Sequence, residues 1–150
     1  RNGTAMRMVE AILDISKITD YSCTDGDIFQ LLEIPAGVLV LFAGAEVLTA
    51  FDGTSPTVDI DFAAGDDIID GADITSTGFC AAGSNGQTNT VVGNAASTYT
   101  QFISTADTID CTIAGAAAAT GRLRVYATVI DCNDHGAVDK ATEVDRDLLA

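Results

Sequence analysis

Six aspartates lie within residues 59–73 (DIDFAAGDDIIDGAD), the densest group of potential metal ligands in the chain. Carboxylates grouped on one loop are the ligands that hard cations such as Ca²⁺ prefer. Their spacing does not follow the D-x-[DN]-x-[DN]-G order of an EF-hand loop, which also ends on a glutamate. We expect a solvated acidic loop, with Ile68 and Ile69 packing back. The alternative is a cation site formed by Asp59, Asp61, Asp66, Asp67, Asp70 and Asp73.

Nucleophilic catalysis has one candidate pair, because the single histidine, His135, follows Cys132 by three residues. A Cys–His pair needs a third group that orients the imidazole ring. The segment Cys-Asn-Asp-His-Gly is accounted for by a turn, since Asn, Asp and Gly are turn residues. The chain has no G-x-S-x-G motif and no glycine-rich phosphate-binding motif. We therefore predict no catalytic residue and no cofactor.

The four cysteines, Cys23, Cys80, Cys111 and Cys132, are widely and irregularly spaced, and no CxxC occurs. A zinc site needs grouped cysteine and histidine ligands, so none is predicted. We predict free thiols made in a reducing cytosol, with one or two disulfides as the alternative. Cys111 alternates with apolar neighbours and is expected in the core.

Two of the seven basic residues, Arg122 and Arg124, share one predicted strand with Tyr126. Strand periodicity turns these three side chains outward and Leu123, Val125, Ala127 and Val129 inward. The arginines either neutralise acids on neighbouring strands or form ion pairs between subunits. Arg122, Arg124 and Tyr126 are therefore the interface candidates.

The composition of the chain indicates which class of fold carries these candidate residues. The chain has 150 residues, a size typical of a single domain. Its net charge of −15 argues against nucleic acid and anionic membrane as partners, while 47% hydrophobic residues argue against disorder. Eighteen of the 22 acids are aspartate, which favours turns and strands over helices. No signal-peptide pattern is visible, and the longest apolar run, Val38–Ala45, is too short to span a bilayer.

Turn residues and alternation predict an all-β fold, a single jelly-roll-like β-sandwich of about eight strands. The domain covers 1–150, with its core at about 6–132, terminal arms at 1–5 and 133–150, and a short helix or docking arm at the C-terminal end. Arg122–Cys132 is expected to return antiparallel to Thr108–Ala114. The predicted strands are Met6–Ile18, Ile28–Ile34, Val38–Ala50, Thr57–Phe62, Thr77–Ala82, Thr88–Val92, Tyr99–Ile103, Thr108–Ala114 and Arg122–Cys132.

Several segments between residues 27 and 131 occur in an order and spacing that resemble a known family. They are DIFQLLEIPAG (27–37) with the VLVL run after it, EVLTA (46–50), VDID (58–61), the acidic stretch 65–73, STADTIDCTI (104–113) and GRLRVYATVID (121–131). Together they resemble the small structural proteins of tailed bacteriophages, including cyanophages. The match leaves out both terminal segments.

The resemblance implies an all-β virion protein of the capsid decoration, or cement, type without catalytic residues. Such proteins often form trimers on local threefold axes, so the expected partners are the major capsid protein and two further copies of the chain. The expected location is the capsid surface, after synthesis in the host bacterial cytoplasm. A tail, fibre or vertex-knob module is the first alternative. A carbohydrate-binding β-sandwich is the second, although the chain has no Trp and only three Tyr for sugar stacking.

Overall fold

Two antiparallel β-sheets pack face to face in the computed structural model, which describes residues 5–18, 23–62, 68–80, 101–115 and 118–133. The strands alternate between buried and more exposed positions, as a sandwich core requires. They are β1 (Met6–Asp14), β2 (Asp27–Ile34), β3 (Val38–Thr49), β4 (Thr57–Phe62), β5 (Ile69–Asp73), β6 (Gly78–Phe79), β7 (Gln101–Ile103), β8 (Asp107–Ala114) and β9 (Arg122–Asp131).

The strand order is that of a jelly roll. The five-stranded sheet has the order β1-β9-β3-β6. Strand β7 also pairs with β3, along the same edge as β6, but β7 pairs with the beginning of β3 and β6 with its end. The four-stranded sheet runs β2-β8-β4-β5. Six of the connections between successive described strands, all except β4 to β5 and β6 to β7, cross from one sheet to the other. This interleaving is how a double-sheet jelly roll joins two sheets with one chain. The predicted all-β sandwich is confirmed.

Alternation places the core side chains. In β9 the residues Leu123, Val125, Ala127 and Val129 are buried, and the residues between them are half-buried. In β4, Val58, Ile60 and Phe62 are buried as predicted. Alanines fill the layer where β3 and β9 pair, because Ala43 lies opposite Ala127 and both are fully buried. Small side chains at these positions allow the two sheets to pack closely.

The pairing predicted for the last two strands is wrong. β8 pairs with β2 and β4, whereas β9 pairs with β1 and β3 in the other sheet. Alternation predicts which face of a strand is buried but not which strand lies beside it. Both a hairpin and a crossover between sheets bury Ile109 and Leu123, so the sequence pattern does not distinguish them.

Two segment assignments also change. The first predicted strand ends at Asp14 instead of Ile18, because a 3₁₀ turn, Ile15–Lys17, follows it. Strand β5 lies in the stretch predicted as a loop, where Ile69 pairs with Ile60 of β4. The Thr88–Val92 strand, most of the C-terminal arm and residues 1–4 of the N-terminal arm lie outside the described residues.

Aspartate side chains join distant loops. Asp52 accepts hydrogen bonds from the amides of Ala119 (2.9 Å) and Thr120 (3.0 Å), and Asp25 accepts one from Gly115. The hydrogen bond from Thr120 is the main cause that holds the pKa of Asp52 below its usual value. These contacts explain part of the excess of aspartate, whose short carboxylate suits amide acceptance in turns.

All four cysteines are free thiols. Cys23, Cys80 and Cys111 are buried, and Cys132 is half-buried. Burial raises the pKa of Cys80 to about 11 and that of Cys111 well above its usual range. The prediction that Cys111 is a core thiol is confirmed. In the part of the chain that the structure describes, no helix is long and apolar enough to cross a membrane.

Candidate functional site

The interface candidates Arg122, Arg124 and Tyr126 lie on the outward face of β9, near the centre of the five-stranded sheet. Arg122 forms an ion pair with Asp14 of β1, at 3.2 Å between Nε and Oδ2. Arg124 likewise contacts acids on both neighbouring strands. These contacts confirm the first of the two roles predicted for the arginines. An ion pair between subunits stays a prediction.

Arg124 lies between two carboxylates, one on each neighbouring strand. It contacts Glu46 of β3 and Glu10 of β1, the latter at 3.5 Å. Its guanidinium also lies over the ring of Tyr126, 5.7 Å from the ring centroid. Charge pairing on both sides and a cation–π contact restrain this side chain at the surface.

The Tyr126 ring is part of an aromatic cluster. Its centroid is 5.9 Å from that of Phe42, and Phe79 contacts it edge-on at 6.5 Å. Gly44 lies beneath the ring, where an added Cβ would come within 2.8 Å of the tyrosine oxygen. Burial raises the pKa of Tyr126. The absence of a side chain at Gly44 therefore allows Tyr126 to lie flat against the sheet.

Large apolar side chains surround this cluster on the same side of the sheet. Cross-strand register places Met6 beside Ile130, Ile130 beside Leu39, and Leu39 beside Phe102. Five large apolar side chains on this side of the sheet are about half to two-thirds exposed. We call this surface the aromatic face, and define it by Met6 (65%), Met8 (63%), Ile12 (49%), Phe79 (62%) and Phe102 (55%), together with Phe42 and Tyr126.

The opposite surface of the sandwich is acidic. Asp59, Glu33 and Asp73 lie on the outward side of the four-stranded sheet, and Asp61 and Asp110 have the same orientation but are buried. Every basic residue that the structure describes lies in β1, in the turn after it, or in β9, and so belongs to the other sheet. The sandwich thus separates an apolar surface with paired charges from a carboxylate surface. We call the latter the acidic face.

The predicted acidic loop is mostly strand. Asp59 and Asp61 lie in β4, Asp70 and Asp73 lie in β5, and Asp66 and Asp67 lie outside the described residues. Ile68 and Ile69 are buried, as expected. Asp59 accepts the amide of Gly71 at 2.6 Å, and Asp73 accepts the amide and hydroxyl of Thr75, which lowers the pKa of Asp73.

Asp61 corrects the expectation of a solvated strand face. Its exposure is 4%, and Asp110, directly opposite on β8, is 7% exposed. Asp110 accepts a hydrogen bond of 2.6 Å from the Thr108 hydroxyl. Across the residues that the structure describes, no group of three or more His, Cys, Asp or Glu side chains is placed to hold a metal ion.

Asp110→Asn should stabilise the fold, because like charges directly opposite on paired strands repel. We expect the free energy of unfolding at pH 7 to rise by about 0.5–1 kcal/mol, since the asparagine oxygen can still accept from Thr108. Urea unfolding measures the change. Asp70→Asn removes the same charge from an exposed position and is the control. A loss of stability in Asp110→Asn alone would instead mean that the pair is held together by a cation or a donor.

A shallow open groove of about 570 Å³ lies beside the acidic face, between β2 and the turn before β8. Its lining residues are Gln30, Leu31, Glu33, Ala106, Asp107 and Thr108. Sugar sites place aromatic rings against the pyranose, and this lining has none. The groove therefore gives no support to the carbohydrate-binding alternative.

Sequence reasoning missed most of the aromatic face. It identified Tyr126 and the two arginines, but it assigned no role to Met6, Met8 or Phe102. Phe79 was placed in a predicted strand without an assigned face. One sequence pattern could have revealed this face. In β1 the alternate positions Met6, Met8, Glu10 and Ile12 are apolar at three of four, and the opposite side of the strand, with Ala11 and Leu13, is apolar as well. A strand that is apolar on both sides has one apolar side left to face solvent or a partner.

Comparison with known proteins gives one structural likeness. The sequence matches no protein-family model, and no curated protein matches it. The fold is similar to a chain in the structure described as "Acidic stable capsid structure of Helicobacter pylori bacteriophage KHP30", with a TM-score of 0.53 and 12% sequence identity. The superposition covers 85% of this chain and 88% of that chain. At this identity the likeness is one of fold.

Proposed function

We propose that this chain is a structural protein of a bacteriophage virion, of the capsid cement type, without enzymatic activity. The observation that carries the proposal is the fold shared with a chain of a phage capsid over most of both molecules. The nearly equal coverage means that the two chains have similar lengths, so one whole small sandwich matches another. The resemblance of segments 27–131 to tailed-phage virion proteins supports the same conclusion independently.

The two faces of the sandwich suit such a role. The aromatic face offers apolar area and restrained side chains for protein contacts. The acidic face keeps the free protein soluble and discourages contact with the genome, because both carry negative charge. The proposed partners are the major capsid protein and two further copies of this chain, at the capsid surface. Synthesis would take place in the host cytoplasm.

A cement protein acts through binding free energy. If it binds the assembled shell more tightly than the separate subunits, mass action shifts the equilibrium toward the closed shell. A modest contact repeated over the shell then gives a large total resistance to opening. Each copy must itself resist deformation, and the two packed sheets give it a rigid core.

The test is the copy number of this chain in purified virions of the phage that encodes it, measured by quantitative mass spectrometry against the major capsid protein. Hundreds of copies, near one per capsid subunit, are expected for a cement layer. A few to a few tens would support the alternative of a tail, fibre or vertex-knob module. Complete absence from the particle would refute a structural role in the virion.

A further inference from the structure

We infer that copies of this chain associate with one another through the aromatic face. The inference goes beyond the proposed function, because a face that meets the same face of a second copy joins two copies and is therefore separate from the threefold contact of the proposed trimer. Three observations carry it: the exposed apolar area, the charge balance of the surface, and the restraint of its central side chains.

The exposed area is large enough for a specific contact. Five large apolar side chains of the aromatic face are on average about three-fifths exposed. At about 200 Å² for a large side chain, they offer about 600 Å² per copy. Two such faces would bury about 1,200 Å² together, which is the lower end of the range for specific interfaces. We therefore expect association in the micromolar range, well short of a permanent complex.

The charge balance points to a second copy as the occupant. Across β1, β3 and β9, the carboxylates Glu10, Asp14 and Glu46 pair with the cations Arg122 and Arg124, and Lys17 pairs with Asp14 at the edge. Three negative charges thus meet three positive charges on a chain whose net charge is −15.

A surface that contacts its own copy must be nearly neutral, because any excess charge faces itself. A surface made for a basic partner would instead carry an excess of negative charge, as the acidic face does. When two aromatic faces meet, the acidic faces point apart and lie about 30 Å from each other, at about 10 Å per packed layer. That distance exceeds the screening length of about 8 Å at physiological salt, so their repulsion is weak.

The central side chains are already ordered for contact. Tyr126 lies on Gly44 between Phe42 and Phe79, and Arg124 is held over its ring. Tyrosine and arginine at the centre of an apolar surface are the residues that dominate interface energies. Restraint before binding lowers the entropic cost of association.

Sedimentation equilibrium of the full purified chain tests the inference. Wild type should show a reversible dimer at micromolar concentration, because two aromatic faces cover each other. Phe79→Glu should raise the dissociation constant at least tenfold, because it buries a charge in the contact. Phe79→Glu could also disturb the short strand β6, so a second variant is needed. Met8→Glu, on the distant strand β1, should raise the dissociation constant in the same way. Ile28→Glu is the matched control, since Ile28 is 57% exposed on the other sheet and should leave association unchanged.

Monomeric wild type at millimolar concentration would overturn the inference, as would equal weakening by the Phe79 and Ile28 variants. The assay needs no virion, so its outcome is separate from that of the proposed function. A monomer that is nonetheless abundant in virions would mean that the aromatic face docks on the shell. A self-associating chain that is absent from virions would refute the proposed function and leave this inference standing.

Discussion

Gly121→Ala is expected to lower the free energy of unfolding by about 2–5 kcal/mol. Gly121 immediately precedes β9 and has φ of +145°, a conformation that side chains rarely adopt. An added Cβ would lie inside 3.0 Å of three ring carbons of Phe51. Phe51 cannot easily yield, because it is buried and its amide donates to Ile74. Backbone strain and overpacking therefore both contribute to the loss of unfolding free energy.

Gly26→Ala separates these two causes. Gly26 has φ of +85° and no atom within 4 Å of an added Cβ, so only strain applies, at about 1–2 kcal/mol. Both substitutions reduce the entropy of the unfolded chain equally, so this contribution cancels in the comparison. Urea unfolding at pH 7 measures both. Equal losses would show that the ring of Phe51 does not pack against Gly121.

Ile60→Ala is expected to cost about 2–5 kcal/mol of unfolding free energy. Ile60 is fully buried at the middle of β4, opposite Cys111 of β8 on one side and Ile69 of β5 on the other. Truncation removes apolar contacts and leaves a cavity that two paired strands cannot close. Because whole domains are stable by about 5–15 kcal/mol, this one change removes a large part of the total.

Ile28→Ala provides the matched comparison. It removes the same atoms from the same sheet, but on the outward side, where Ile28 is mostly exposed. We expect a change within about 0.5 kcal/mol. Thermal and urea unfolding of the two variants together test the assigned faces of the four-stranded sheet. A larger loss in Ile28→Ala than in Ile60→Ala would reverse that assignment.

The strands of this protein follow closely from local pattern. Thr57–Phe62 is predicted with the bounds observed, and β9 differs from its prediction by one residue. Alternation of apolar and polar side chains has the two-residue period of a strand, so the buried positions of β4 and β9 can be assigned before any neighbour is known. Acidic segments are harder, since β5 contains Asp70, Gly71 and Asp73, which favour turns in isolation.

Pairing depends on contacts between distant parts of the chain. Asp61 is buried opposite Asp110, and Glu46 meets Arg124, although 49 and 78 residues separate these partners. Local alternation is satisfied equally by a β8–β9 hairpin and by the jelly roll, so the choice depends on how the whole core packs. The aromatic face likewise combines side chains from β1, β3, β6, β7 and β9. Residue type and period thus determine the strands and their inward faces, whereas strand order, and with it the surface available to a partner, is determined by the packing of two sheets around one core.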